Sequence, residues 1–233
     1  MNSSPIPWFQ SASYLRHNEK RLEHLASLGL ALNQKTLLEL GAGIGDHTGF
    51  FLEKECRVTS VEARAENLTI LQHRYPDVMT YCLDLDHPTI NFGQTFDIVY
   101  SYGLLYHLKN PAEALNFMAN ACRGLLLLET CVSLGSEPLV NLCDEPIENP
   151  SQSFCGIGCR PTRSWVFNQL KRHFEFVYVP ITQPDHEEFP TNWMMPRPEG
   201  ILLRAVFIAS RVPIENLLLV QYLPEQQTCY ANA

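Results

Sequence analysis

Residues Leu37-Leu38-Glu39-Leu40-Gly41-Ala42-Gly43-Ile44-Gly45-Asp46-His47-Thr48 set an apolar run directly against three glycines at alternate positions. The run reads as a buried strand. The glycines let the chain turn sharply and let a ligand approach the main chain. The helix expected to follow offers free N–H groups at its first turn. Two phosphate-binding arrangements are excluded by spacing. A G-x-G-x-x-G pattern would place its third glycine at position 46, which is Asp46. A P-loop needs Gly-Lys-Ser/Thr, and none follows. An acid at the helix entrance suits a ligand with a cationic portion better than a pyrophosphate.

Beyond this turn, short β-rich runs alternate with amphipathic stretches, which implies a parallel sheet with helices on both faces. Strands are expected over residues 36–40, 57–62, 78–82, 96–101 and 124–129, with closing strands over 174–180 and 202–210. Helices are expected over 13–28, 46–54, 65–75, 111–121 and 163–173. The first carries Leu15, Leu22, Leu25 and Leu28 near helical spacing. Asn110-Pro111 supplies an N-cap and a first-turn proline, and Thr162 caps the last helix. The stretches 131–161 and 182–200 are rich in turn-forming residues and read as irregular covers over an active site.

Two further acids stand at expected strand ends. Glu62 closes the second strand, 21 residues after Gly41, where a carboxylate accepts both hydroxyls of a ribose. Asp84 follows the third strand, placed to accept from an adenine amino group. Glu39-x-Gly41-x-Gly43-x-Gly45, Glu62, Asp84 and Phe96-Asp-Ile-Val-Tyr-Ser101 together resemble the class I S-adenosylmethionine-dependent methyltransferases, over roughly residues 13–210.

That resemblance implies an α/β fold: a doubly wound, mostly parallel sheet of seven strands, the last antiparallel, helices on both faces and loop insertions over the active site. It places the domain at 36–211, with an N-terminal helical lid at 1–35, substrate-covering insertions at 131–161 and 182–200, and a C-terminal extension at 212–233. By the same resemblance Gly41, Ala42 and Gly43 back onto the methionine part of S-adenosylmethionine. Glu39 orders the loop or the cofactor's ammonium, Glu62 and Ala63 take the ribose, and Asp84 and Leu85 hold the adenine. Ser101 and Tyr102 face the methionine tail.

The fourth strand leads into Tyr106-His107, which chain connectivity sets near the reacting methyl. Methyl transfer is an in-line displacement, so alignment of donor and acceptor carries much of the rate. His107 is the candidate base for a protonated acceptor, and loop packing is its competing role. Tyr106 contacts cofactor or acceptor, or packs in the core. Arg160, Trp165, His186 and Trp193 are the candidate acceptor contacts, suited to a partly apolar ligand with an anionic or polar group. No metal is expected. His186, Glu187 and Glu188 are adjacent and do not converge without partners elsewhere, and Cys131, Cys143, Cys155 and Cys159 lack paired zinc-knuckle spacing.

The expected reaction is methylation of a small molecule at oxygen or nitrogen. Leu104-Leu-Tyr-His-Leu-Lys-Asn-Pro111 is also similar to enzymes that modify the wobble uridine of tRNA. Lys and Arg total 17 against 25 Asp and Glu, a formal charge of −8, and no basic stripe is visible, which argues against nucleic acid. A non-catalytic subunit that only binds the cofactor is the other alternative. A 45% hydrophobic content excludes a disordered chain. The N-terminus shows no leader pattern, no run reaches membrane-span length, and eight scattered cysteines read as reduced thiols, so a cytoplasmic protein is expected. The apolar run 217–223 is compatible with a homodimer contact or an ordinary core strand.

Overall fold

The computed structural model describes residues 4–195 and 200–232. The expected segments 1–35, 182–200 and 212–233 therefore fall partly on residues 1–3, 196–199 and 233, which lie outside the described residues.

Five parallel strands form the body of the sheet: β1 (Thr36–Leu40), β2 (Arg57–Glu62), β3 (Met79–Cys82), β4 (Phe96–Tyr102) and β5 (Cys122–Val132). Their spatial order is β3-β2-β1-β4-β5. Beyond β5 lies β10 (Leu203–Ser210), antiparallel to β5, and then β8 (Phe176–Pro180), antiparallel to β10. The expected seven strands are present, and a two-residue edge strand, β11 (Leu219–Val220), makes an eighth against β8. The apolar run 217–223 ends here: Leu219 is buried, while Leu217 is 96% exposed.

Alternation along the strands splits the core in two. Leu38, Val99, Leu126 and Phe207 face one side and pack with Leu115 and Met118 of α5 (Pro111–Ala121) and Phe167 and Leu170 of α6 (Arg163–His173). Their neighbours Leu37, Ile98, Leu127 and Ile208 face the other. There they meet Leu25 of α2 (Ala12–Ser27), which follows the short α1 (Ile6–Phe9), and Phe51 of α3 (Thr48–Leu52). Burial on both faces is why these strands read as unbroken apolar runs.

Three expectations change. β5 extends beyond 124–129 because β10 pairs with it from Leu125 to Val132. The helix expected at 46–54 is only α3, because left-handed backbone at Gly45 (φ +84°) delays its start. The stretch 131–161 is not irregular throughout. It holds a hairpin of β6 (Val140–Asp144) and β7 (Ile157–Pro161); β6 is largely exposed and β7 largely buried, so neither shows the alternation a half-buried strand usually does. Within 182–200, β9 (Thr182–Gln183) pairs in parallel with β12 (Thr228–Cys229), which ties the C-terminal segment to the body. Among the described residues no helix is long and apolar enough to cross a membrane. All eight cysteines are unpaired.

Candidate functional site

The turn after β1 takes positive φ at Gly41 (+69°), Gly43 (+56°) and Gly45 (+84°), a backbone that side chains strain. Gly41 and Ala42 donate their N–H groups to the Val61 carbonyl at 2.9 and 3.0 Å, which locks the turn to the end of β2. A Cβ at Gly41 would stand 2.9 Å from Cβ of Leu104, and one at Gly43 would stand 3.1 Å from the Phe9 ring. The close approach at Gly43 is thus made by α1.

The acids stand where adjacent strands end. Glu39 is fully enclosed and accepts from Thr48 Oγ1 (2.6 Å) and Ser60 Oγ (2.8 Å), joining β1, α3 and β2. Burial pushes its carboxyl up to about 7, against those two hydrogen bonds. Glu62 accepts from the Gly43 N–H (2.9 Å) through one oxygen and from the Arg64 N–H (2.9 Å) through the other. Burial raises its pKa too, partly offset by the two N–H groups. Asp84 accepts from the Asp86 N–H at 2.9 Å.

A cavity of about 320 Å³ opens over these strand ends. Of the sequence candidates, Glu39, Gly41, Ala42, Gly43, Glu62, Ala63, Asp84, Leu85, Tyr102, Tyr106 and His107 all line it. Ser101 does not. Alternation along β4 turns Tyr100 and Tyr102 into the cavity and Ser101 away from it, where it is fully buried with its hydroxyl unpaired.

The four expected acceptor contacts also lie outside the cavity lining. Arg160 is drawn behind it, donating to the Tyr106 carbonyl (3.1 Å) and to Glu145 Oε1 (3.1 Å). Trp165 packs from α6 against the core. Trp193 donates to Gln227 Oε1 at 2.6 Å and is capped by Arg163, 3.9 Å from its ring. His186 stacks edge-on against His17, with ring centroids 4.6 Å apart.

In their place the structure brings α2 to the cavity. Ser11 caps this helix by accepting from the Tyr14 N–H at 3.2 Å. Its buried face carries His17, Asn18, Arg21 and His24, whereas Leu15 is 44% exposed. Arg21 donates to Glu129 Oε2 (2.5 Å), at the carboxyl end of β5. Arg204 of β10 donates to Glu129 Oε1 (3.2 Å), to Glu188 Oε2 (2.5 Å) and to the Tyr106 hydroxyl (3.1 Å). Both guanidiniums and Glu188 line the cavity, and Glu129 lies beneath them. The legible signal was the polar spacing 17, 21, 24 on one helix. Arg204 and Glu129 carried no signal, since each is an isolated charge in an apolar strand.

His107 has a partner that sequence reading missed. Its Nδ1 lies 2.5 Å from Glu145 Oε2, and Glu145 also accepts from the Ser153 N–H (2.8 Å) and from Arg160. Burial presses the His107 pKa below its ordinary value, while Glu145 opposes that shift. Glu145 sits just after β6, inside the segment read as irregular.

Residues 38–124 match the family described as a methyltransferase domain. A tRNA U34 carboxymethyltransferase from Pseudoalteromonas atlantica is 32% identical over 117 residues, which is 47% of this chain and 36% of that protein. The chain thus matches about a third of the length of this curated relative. The N-terminal domain of EvdMO1, solved in the presence of SAH and D-fucose, superposes with a TM-score of 0.62 at 21% identity, covering 86% of this chain and 84% of that one. The 1,6-didemethyltoxoflavin-N1-methyltransferase of Burkholderia thailandensis, solved with bound 1,6-didemethyltoxoflavin and S-adenosylhomocysteine, gives 0.56 at 21% identity over 87% and 80%. At these identities the two structures show a shared fold.

Proposed function

We propose that this chain, which carries the class I S-adenosylmethionine-dependent methyltransferase domain, methylates a small-molecule acceptor at oxygen or nitrogen. The observation that carries this reading is the single cavity wall shared by the Gly41–Gly43 turn, two strand-end carboxylates and the polar face of α2. The donor side fits. Gly41 and Gly43 sit at positive φ in the turn that lines the cavity, close against Leu104 and the Phe9 ring, and Glu62 and Asp84 stand at the ends of neighbouring β2 and β3. In this reading Glu62 and Ala63 receive the ribose, Asp84 and Leu85 the adenine, and Gly41, Ala42, Gly43 and Tyr102 the methionine part. Glu39 holds the turn. S-adenosylmethionine supplies, when bound, a methyl group on a sulfonium whose departure leaves a neutral thioether.

The rest is alignment and proton handling by this chain. Phe9 of α1 and Tyr14, His17, Asn18 and Arg21 of α2 line one wall of the cavity. Tyr14, His17, Asn18, Arg21 and Arg204 offer the polar contacts of the acceptor side. Arg160, Trp165 and Trp193 act at one remove, by holding η1 (Leu105–His107), α6 and the C-terminal segment. His107 is the base, with its ring fixed through Nδ1 by Glu145, a positioning residue. Eight free thiols support a reducing, cytoplasmic setting.

Purified protein should be stabilised in a thermal-shift assay by S-adenosylmethionine and S-adenosylhomocysteine, with no shift from nicotinamide dinucleotides. Labelled methyl should pass from the donor to small molecules of a cell extract. Binding without transfer to any fraction would leave only the cofactor-binding-subunit alternative. Stabilisation by a nicotinamide dinucleotide alone would falsify the donor assignment.

A second reading follows from the tRNA-modifying relative: the acceptor is a tRNA uridine. Its support is the local identity. Against it stands the net charge of −8, since phosphate contacts draw on clustered Lys and Arg. Transfer of label to purified tRNA, falling steeply with salt, would favour this reading over the first.

His107 gives a pH test. Its pKa lies below the ordinary value near 6.5, so the base is already neutral at pH 7 and kcat/KM should fall only on the acid side of that value. Glu145→Gln removes the charge that raises the His107 pKa, so the acid limb should move to still lower pH while kcat drops. His107→Asn should lower kcat roughly 100-fold, in line with loss of a general base, with S-adenosylhomocysteine affinity within about twofold of the wild type. An unmoved acid limb in Glu145→Gln would make His107 a packing residue.

A further inference from the structure

The loop after β9 carries His186-Glu187-Glu188, and α2 supplies the side chain from elsewhere that such a triplet needs in order to converge. His17 Nδ1 stands 3.3 Å from Glu188 Oε2, and the two imidazoles meet edge to face at 71°. Coordinating atoms of His17, His186 and Glu188 all lie within 4.8 Å of one another. His17 and His186 are 7% and 8% exposed; Nε2 of His17 has no hydrogen-bond partner, and Nε2 of His186 makes no hydrogen bond but faces Glu187 Oε1 at 3.7 Å. A buried ring nitrogen left unpaired needs a reason, because its desolvation is otherwise unrecovered.

A cation is that reason. We infer that His17, His186 and Glu188 form a site for one divalent transition-metal ion of the zinc type, set in the cavity wall with open positions toward the acceptor.

Three observations shape the site. His17 keeps Nδ1 toward Glu188 and leaves Nε2 without a hydrogen bond, on a helix face that lines the cavity. The Glu188 N–H stands 3.3 Å from His186 Nδ1, and binding through Nε2 turns the ring to its Nδ1–H tautomer and gives up this long contact. Arg204 Nε holds Glu188 Oε2 at 2.5 Å and orients the carboxylate.

The local charges also select the ion. Arg21 and Arg204 face Glu129 and Glu188, and Arg16 pairs with Glu187, so the surroundings offer a cation no net negative field. Affinity then rests on the imidazoles, which favours zinc, cobalt, nickel or iron over magnesium or calcium, whose sites are built from oxygen. Tetrahedral ligands on such an ion stand roughly 3.4 Å apart, given bonds of about 2.0–2.2 Å, so the set draws in slightly on binding. His17 and Glu188 line the cavity while His186 does not, which turns the uncoordinated positions inward. An acceptor oxygen bound there would be acidified by the metal. This role rests on the cavity being the acceptor site; the binding of metal does not.

The test is a titration of the chelator-treated full chain with Co²⁺. The expected result is visible d–d absorption saturating at one equivalent, displaced by Zn²⁺. His186→Ala should weaken Co²⁺ binding at least tenfold, since even outer-shell partners cost about 10–100-fold. His17→Gln, read the same way, serves if His186→Ala does not fold. Calorimetry with S-adenosylhomocysteine in chelator, on the same samples, reports folding and tests the donor assignment separately. Absence of saturable absorption, equal titration of wild type and both variants, or an intense thiolate-to-cobalt band would overturn the proposal.

Discussion

Glu62→Ala is expected to weaken S-adenosylhomocysteine binding by 100-fold or more, with the fold intact. The carboxylate is 9% exposed and its only described partners are the Gly43 and Arg64 N–H groups and Asn67. Burial already raises its pKa, so the ionised form gains from further hydrogen-bond donors. Ribose hydroxyls would supply them, as charge-assisted hydrogen bonds worth roughly 1.5–3 kcal/mol each. Two such bonds give about 3 kcal/mol at the low end, a factor near 150. The substitution also frees the Gly43 N–H, loosening the turn proposed to back the methionine part. Glu62→Gln keeps the shape and one acceptor oxygen, so it should fall between alanine and wild type. Calorimetry returning equal affinities for all three would remove Glu62 from the donor site.

The side of the cavity proposed for the donor was legible because its residues sit on the repeating parts of the fold. Gly41 and Gly43 follow an apolar strand, and Glu62 and Asp84 close the next two, so position along the chain alone fixes where they meet. Local pattern also fixed α5 and α6: Thr162 caps α6 through its side chain, whereas Asn110 holds the N-cap position of α5 without a side-chain capping bond, ahead of Pro111. Ser101 was misassigned by one residue, and in a strand one residue is the other face.

The side proposed for the acceptor was not legible, for three separate reasons. α2 presents a polar face inward, so scoring apolar periodicity picked out Leu15, which is exposed, and passed over His17 and Arg21. Glu129 and Arg204 lie 75 residues apart on strands that pair antiparallel, and nothing local announces that pairing. Glu145 sits in a hairpin whose exposed residues disguise it as loop. The aromatic and cationic residues chosen instead, Arg160, Trp165 and Trp193, have the right chemistry for binding. Each is already spent on partners within the chain.

The unread charges also govern stability. Glu129 is fully buried between Arg21 and Arg204, themselves 4% and 6% exposed. Glu129→Met should destabilise the protein by about 3–5 kcal/mol, because it strands a buried charge rather than because it deletes an attraction. For a chain of this size that is a fall in Tm of roughly 10 °C. The two guanidiniums are not equally affected. Arg204 retains Glu188 and Tyr106, whereas Arg21 retains only the Asn18 side chain, at 3.2 Å. Arg21 should therefore carry most of the loss, and Glu129→Met combined with Arg21→Met should recover more than half of it. Removing the exposed Arg16 should change stability by less than about 1 kcal/mol. If instead the double variant is less stable than Glu129→Met alone, the attraction between Glu129 and Arg21 was not what the single substitution lost. The long stem of Arg21 would then be stabilising α2 through its packing.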